Sequence, residues 1–303
     1  MEPKQSLDTP TDRPDSRDQE KLDETRELLT SAFLLARSLG ITTVMVQEDE
    51  IGDKRIVENV RLNERVIWIR SGSDVSSGSD LVGDIALTLP ESGVTRLGQI
   101  NLGLFLVSLN RLVGPDERVL GISGTSGSRQ LDTLIIARPA RDFPFHQHPT
   151  DDVEISTHLA RVLEIALRLA NQGREGSPIG TIFVLGEVGR LSHYLSQLIL
   201  NPMKGHSRRV RSIYNSELFE TIRELAAMDG AFVIDRHGTL ESAATYLNAP
   251  LERGQLAAGL GARHAAALSI TAVTDATTVV VSASSGATSV YRQGRVVLTL
   301  ERR

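Results

Sequence analysis

Apolar positions along this chain recur with two periods. Leu22, Leu28, Leu29, Ala32, Phe33, Leu35, Ala36 and Leu39 share one face at helical spacing, and Gly40 follows as a stop. Five short runs then read as buried strands: 41–46, 65–70, 84–89, 118–123 and 132–137. Between the third and fourth lies the helical pattern "LGQINLGLFLVSLNRLV". Near-continuous apolar strands separated by helices predict a parallel α/β sheet. The second half opens with a helix, whose Ile155, Leu159, Val162, Leu163, Ala166, Leu169 and Ala170 share one face before Gly173. A buried strand is expected at 178–186, a helix at 216–228 with Ser216 as its N-cap, and a strand at 230–236 before a turn at His237-Gly238. Strands follow at 277–284, 286–292 and 295–301, the last two a hairpin across Gln293-Gly294.

The periods stop in two places. Residues 1–20 are rich in Asp, Pro, Ser, Thr and Lys and read as a disordered tail. "RPARDFPFHQHPTDD" (138–152), with three prolines, marks a boundary. The expected organisation is a tail at 1–20, an α/β domain at 21–145 and a second α/β domain at 153–303. The fold class is therefore α/β, an N-terminal parallel sandwich followed by a domain that mixes in antiparallel strands.

Composition narrows the function. A net charge of -5 argues against a general binder of nucleic acid or of membrane surfaces. The chain has no cysteine, which excludes disulfides, thiolate zinc sites and cysteine nucleophiles. No apolar run approaches the roughly 18 residues of a membrane span. The N-terminus lacks the apolar core of a secretory signal, so a cytoplasmic protein is expected.

Three stretches carry candidate chemistry. In "MDGAF", Asp229 lies between a helix and a buried strand, and Gly230 and Ala231 let a ligand approach the backbone. In "GQLAAGLGARHAAALSIT", Gly259 and Gly261 free backbone N–H groups to face an anion at the start of a helix. Arg263 offers a fork for phosphate oxygens, and His264 a phosphate donor or a metal ligand. In "VVVSASSGATSVY", Ser282, Ser284 and Ser285 place hydroxyls at a strand end. Other features read as structural. His146, His148, Asp151 and Asp152 sit in the Pro-rich linker, "KGHSRRVR" (204–211) is a solvated basic loop, and "GISGTSGS" (121–128) lacks the lysine of a P-loop. Glu175 and Glu187 read as turn and surface residues.

"DGA", followed about thirty residues later by "GLGARHAAA" and then by "VVVSASSG", resembles the diadenylate cyclase (DisA-type) domain family. "NQGREGSPIGTIFVLGE" and "NPM" at 201–203 fit the same family's opening unit. The likeness covers about 153–300 and is nearest to the archaeal-type branch. The first domain, with "GPDERVLGISGTSGSRQLDTLIIARP", is similar to the C-terminal α/β domain of pyruvate kinase. The resemblance implies a DAC-type second domain that makes cyclic di-AMP from two ATP, with Mn²⁺ or Mg²⁺, in a face-to-face homo-oligomer. It implies metal binding and activation of the ribose 3′-hydroxyl by Asp229, metal or triphosphate contact by His264, and phosphate binding by Arg263. Gly230, Ala231, the amides of Gly261 and Ala262, and Ser282 and Ser284 would complete the ATP site. Two departures stand out: the family's Arg-His-Arg is here Arg263-His264-Ala265, and its Ser-Glu-Glu is Ser282-Ala283-Ser284. They leave open an alternative, a non-catalytic nucleotide sensor of the same fold. A structural α/β module without a nucleotide site is the third reading.

Overall fold

The computed structural model describes residues 16–72, 76–79, 84–90, 93–142, 153–173, 176–250 and 261–302. Helix α1 (Ser16–Ser38) begins inside the stretch read as a tail. Its Leu29, Ala32, Phe33 and Ala36 are fully buried. It closes on Gly40 at φ +64°, where the Gly40 amide bonds Arg37 O and the Ile41 amide bonds Ala36 O. That is a Schellman ending, and glycine takes the left-handed turn without a Cβ penalty.

The first sheet contains β1 (Thr43–Gln47), β2 (Arg65–Gly72), β3 (Ser76–Ser79), β4 (Ile85–Pro90), β5 (Val119–Ser123) and β6 (Thr133–Ala137), in the order β3-β4-β2-β1-β5-β6. Helices α2 (Arg55–Val60), α3 (Arg96–Leu109) and α4 (Pro139–Asp142) accompany it. The four inner strands are parallel, as their apolar runs predict. The edges β3 and β6 are antiparallel. The 132–137 run is thus an edge strand, because the nine residues after β5 are too few for a parallel crossover.

The second sheet contains β7 (Thr181–Leu185), β8 (Leu195–Gln197), β9 (Ala231–Ile234), β10 (Leu240–Leu247), β11 (Thr277–Val281), β12 (Thr288–Arg292) and β13 (Arg295–Leu300). Their order is β13-β12-β11-β7-β9-β10-β8, with β7 and β9 parallel and every other pair antiparallel. Its helices are α5 (Val153–Gln172), α6 (Val188–Leu191), α7 (Leu218–Leu225) and α8 (Ala262–Val273). Alternation assigns the faces. Phe183, Leu185, Phe232 and Val279 join the apolar cluster of α5, while Ile182, Val184, Ala231 and Val280 join that of α8. The β12–β13 hairpin turns through Gln293 and Gly294, both at positive φ, the signature of a type I′ turn.

The two halves share a core. The α5 cluster also takes in Leu102, Phe105 and Leu106 of α3 and Met45 and Ile67 of the first sheet. Backbone bonds continue the contact: the Thr95 amide donates to Glu301 O at 3.2 Å, and Val94 bridges to Arg302.

The Gly-rich loop after β5 has an internal partner. Glu50, 2% exposed, accepts from the amides of Gly127 (2.6 Å) and Arg129 (2.8 Å) and from Ser128 Oγ (3.3 Å). Glu50→Ala would leave these donors facing a void. We expect a loss of about 1–3 kcal/mol, read from urea unfolding. An unchanged midpoint would show that the loop does not need its carboxylate.

Candidate functional site

The site grows from the joint between α7 and β9. After α7 the chain tightens, with the Met228 amide on Leu225 O at 3.0 Å, and turns out at Asp229. Gly230 then takes φ +113°. A Cβ there would stand 2.5 Å from the carbonyl carbon of Ala244, so only glycine lets β9 start this close to β10. The neighbouring stretch of β10 is itself irregular: its register slips between Ser242 and Thr245, and Ala244 sits at φ +49°. Ala244 O accepts the Leu198 amide at 3.1 Å, which carries the chain beyond β8 past the bulge.

Helix α8 faces this joint. Gly261 caps it in extended conformation, φ -70° and ψ 167°, without a side-chain cap bond. Its first turn therefore offers backbone N–H groups and the positive end of the helix dipole. Arg263 reaches Asp229, Nη2 to Oδ1 at 3.4 Å. The Asp229 side chain is 92% exposed and that of Arg263 is 35% exposed. An exposed pair of this kind contributes about 0–1 kcal/mol, so both groups exchange partners at little cost.

Between α8 and the sheet lies a cleft of about 420 Å³. Asp229, Gly230, Ala262 and Arg263 line one end. Ile182, Ala231, Leu247 and Ala266 form apolar walls, and Leu198, Thr245 and Tyr246 complete the lining. The structure therefore brings Asp229, Gly230, Ala231, Ala262 and Arg263 into one cleft. Gly261 stands at its edge as the helix cap.

His264 is placed differently and does not line that cleft. Its Nδ1 lies 2.6 Å from Tyr291 Oη, and Tyr291 is buried. Burial pushes the imidazole below the ordinary histidine range and raises the tyrosine hydroxyl above its usual value. Only Nε2 is left for another partner.

Ser282 and Ser284 also stand apart from the cleft lining, but at the same end of the sheet. Val281 pairs with Thr181 and Ile182 with Ala231, so Ser282, Gly180 and Asp229 follow in one row beyond the strand ends. Ser282 and Asp229 are two strand spacings apart, about 10 Å. The two hydroxyls lie 3.1 Å from each other, in a turn closed by the Gly286 amide on Ser282 O. Ala283 stands against Gly180, where an added Cβ would come within 2.5 Å of the alanine Cβ.

The sequence reading missed Leu198, Thr245 and Tyr246, because β8 and β10 carry no alternating pattern long enough to mark them. The basic loop 204–211 lies at the other end of the sheet: Arg211 O bonds Leu240 at the start of β10, whereas Thr245 lies near its end. Glu187 is exposed and pairs with Arg190. Gly259, His146, His148, Asp151, Asp152 and Glu175 lie outside the described residues. Among the described residues no group of three or more His, Asp or Glu could hold a metal, and no helix is long and apolar enough to cross a membrane.

Residues 168–296 match the family described as DisA bacterial checkpoint controller nucleotide-binding. A protein of Methanocaldococcus jannaschii named diadenylate cyclase is 34% identical over 189 residues, 61% of this chain and 59% of that protein. One of Haloferax volcanii with the same name is 36% identical over 141 residues, 46% of this chain and 51% of that one. The chain thus spans little more than half the length of these relatives. The solved structure of DacA from Staphylococcus aureus is 23% identical, with a TM-score of 0.31, covering 48% of this chain and 90% of that one.

Two outcomes test the local geometry. Ala244→Gly should stabilise the protein by about 0.5–1 kcal/mol, since a non-glycine residue is strained at positive φ; a loss in thermal or urea unfolding would contradict that. His264 should titrate below the free-imidazole value of about 6.5 in an NMR pH series. Its folded-state value is depressed, so its contribution to stability is full above the unfolded value and is lost as pH falls through the folded one. Titration at or above the free value would mean that the ring is not desolvated.

Proposed function

We propose that this chain, whose residues 168–296 match the family described as DisA bacterial checkpoint controller nucleotide-binding, condenses two ATP into cyclic di-AMP with release of two pyrophosphates. The observation that carries this reading is the meeting of Asp229, Arg263 and the open first turn of α8 at one end of an otherwise largely apolar cleft. The apolar walls take the base and ribose. The charged end takes the triphosphate, with Arg263 as a charge-assisted fork and the amides of Gly261 and Ala262 as further donors. Gly230 and Ala231 let the ribose lie against the backbone, and Ser282 and Ser284 reach the second nucleotide from the same sheet end.

The chemistry is a displacement at phosphorus. The 3′-oxygen of one ATP forms a bond to the α-phosphorus of the other, the bond from that phosphorus to the pyrophosphate oxygen breaks, and pyrophosphate leaves. Asp229 accepts the hydrogen bond of the attacking 3′-hydroxyl and draws off its proton. The donor set fits a divalent cation in part: Asp229 is open, His264 retains Nε2, and phosphate oxygens must complete the shell. Mn²⁺ or Mg²⁺ held there would neutralise charge on the triphosphate.

One cleft has one such set of groups, so two chains must present their nucleotides face to face across a twofold axis. The working unit is a homo-oligomer. In this reading residues 153–303 are the cyclase domain and residues 21–145 belong to an attached pyruvate-kinase-like α/β domain, whose first helix starts at Ser16, ahead of that bound. The protein works in the cytoplasm, where ATP is made. Ala265 and Ala283 favour a second reading, binding without turnover, because neither supplies the charged group usual there.

Incubation of the protein with ATP and Mn²⁺ or Mg²⁺ tests the proposal. Cyclic di-AMP supports the cyclase, binding without product supports the sensor, and neither leaves a structural module. Asp229→Asn should lower synthesis by at least about a hundredfold with unfolding unchanged. Titrating that variant into wild type should suppress product per wild-type chain, because mixed pairs lack one attacking site. A flat titration under verified subunit exchange would sink the face-to-face mechanism.

A further inference from the structure

We infer that Arg302 is a positioning residue for the reaction: the stem of its side chain holds the turn at 282–286, and with it Ser282 and Ser284, in place beside the row that ends at Asp229. The inference rests on the cyclase reading, in which these serines reach the second nucleotide. The turn is braced on two sides. Toward Asp229 it abuts Gly180, where an added Cβ would come within 2.5 Å of Ala283 Cβ and 2.9 Å of its nitrogen. On the far side Thr288 pairs with Leu300, so Arg302 stands opposite Gly286 two residues further on. The contact there is equally close. A Cβ on Gly286 would meet Arg302 Cδ at 2.8 Å and Pro178 Cγ at 3.1 Å. Gly286 takes φ +71°, so the chain reverses at the point where the Arg302 stem lies against it.

Arg302 acts from behind. Alternation puts it on the face of Leu298 and Leu300, which join the α5 cluster, whereas Ser282 follows Val280 onto the face of α8. The cleft lies on the α8 face, so Arg302 serves a nucleotide there through the turn and not by touching it. Bonds within the turn fix its shape. The Gly286 amide donates to Ser282 O at 2.9 Å, and the Ser285 and Ala287 amides donate to the hydroxyls of Ser282 and Ser285 at 3.4 and 3.2 Å. The tip is then placed by what it packs against, Gly180 in front and Arg302 with Pro178 behind.

The first half fixes Arg302 in turn. Val94, 2% exposed, bridges to it, and the Thr95 amide donates to Glu301 O at 3.2 Å. Thr95 is also the N-cap of α3, accepting the Gly98 amide at 3.2 Å. The start of α3, the end of the last strand and the serine turn thus form one line of contacts, which makes the first half a working part of the nucleotide site.

The test combines steady-state synthesis of cyclic di-AMP with amide hydrogen exchange, both on the full chain. Arg302→Ala removes the stem and should lower kcat/KM for ATP about tenfold, the scale of a sub-ångström misplacement. Exchange at the Gly286 amide should quicken by about tenfold, while that at Val279 in the sheet interior stays as it was. Arg302→Met keeps an unbranched stem without the charge and should restore both. Arg302→Gln, with a shorter stem, should fall between, and the Met and Gln variants decide the matter if Arg302→Ala does not fold. A parental kcat/KM in Arg302→Ala, or a Met variant as impaired as the Ala variant, overturns the assignment and leaves the cyclase reading standing. Faster exchange with an unchanged kcat/KM also overturns it, because the turn would then move without consequence. If wild type makes no cyclic di-AMP, the cyclase reading fails and takes this one with it.

Discussion

The site depends on one contact between backbones. Gly230 and Ala244 approach so closely that no Cβ fits between them. This lets β9 begin beside the bulge of β10, and it leaves Asp229 projecting from the joint instead of folding back on it. The bulge turns Ala244 O toward Leu198, so the same irregularity that receives Gly230 also sets one wall of the cleft. Helix α8 needs no such strain. Its small residues let it lie close to the sheet, and its glycine cap leaves the first amides open.

The two sheets are not independent bodies joined by a linker. One apolar cluster runs from α3 through α5 to β13, and the backbone at 94–95 pairs with that at 301–302. Arg302 in turn packs by the turn after Ser282: a Cβ on Gly286 would meet its Cδ at 2.8 Å. The serine turn thus rests on a residue that the first half holds in place. Shifts in α3 have a direct mechanical route to that end of the second sheet.

Much of this was legible in the sequence. The apolar runs of β1, β2, β4, β5, β7 and β11 have no other reading, and Gln293-Gly294 marks its hairpin. Asp229 and Arg263 could each be singled out because both stand at the start of an element with a glycine one or two positions away, and the family resemblance joined them. The cleft wall was not legible. Residues 240–247 carry two alanines and a bulge where a strand should alternate, so neither Thr245 nor Tyr246 announces a face. The inward turn of His264 onto Tyr291 depends on β12 passing beside α8, a tertiary fact with no local signal. The antiparallel setting of β6 is decided by the length of a loop and not by the apolar content of the strand.

The loop after β5 holds its own anion. Its amides form the kind of concavity that collects phosphates, but Glu50 is already inside it and is tethered to the same chain. A tethered group competes at an effective concentration of millimolar or more. A dissolved anion would have to outweigh that advantage, and at residue 50 the chain supplies from within the negative charge that such a loop elsewhere takes from a ligand.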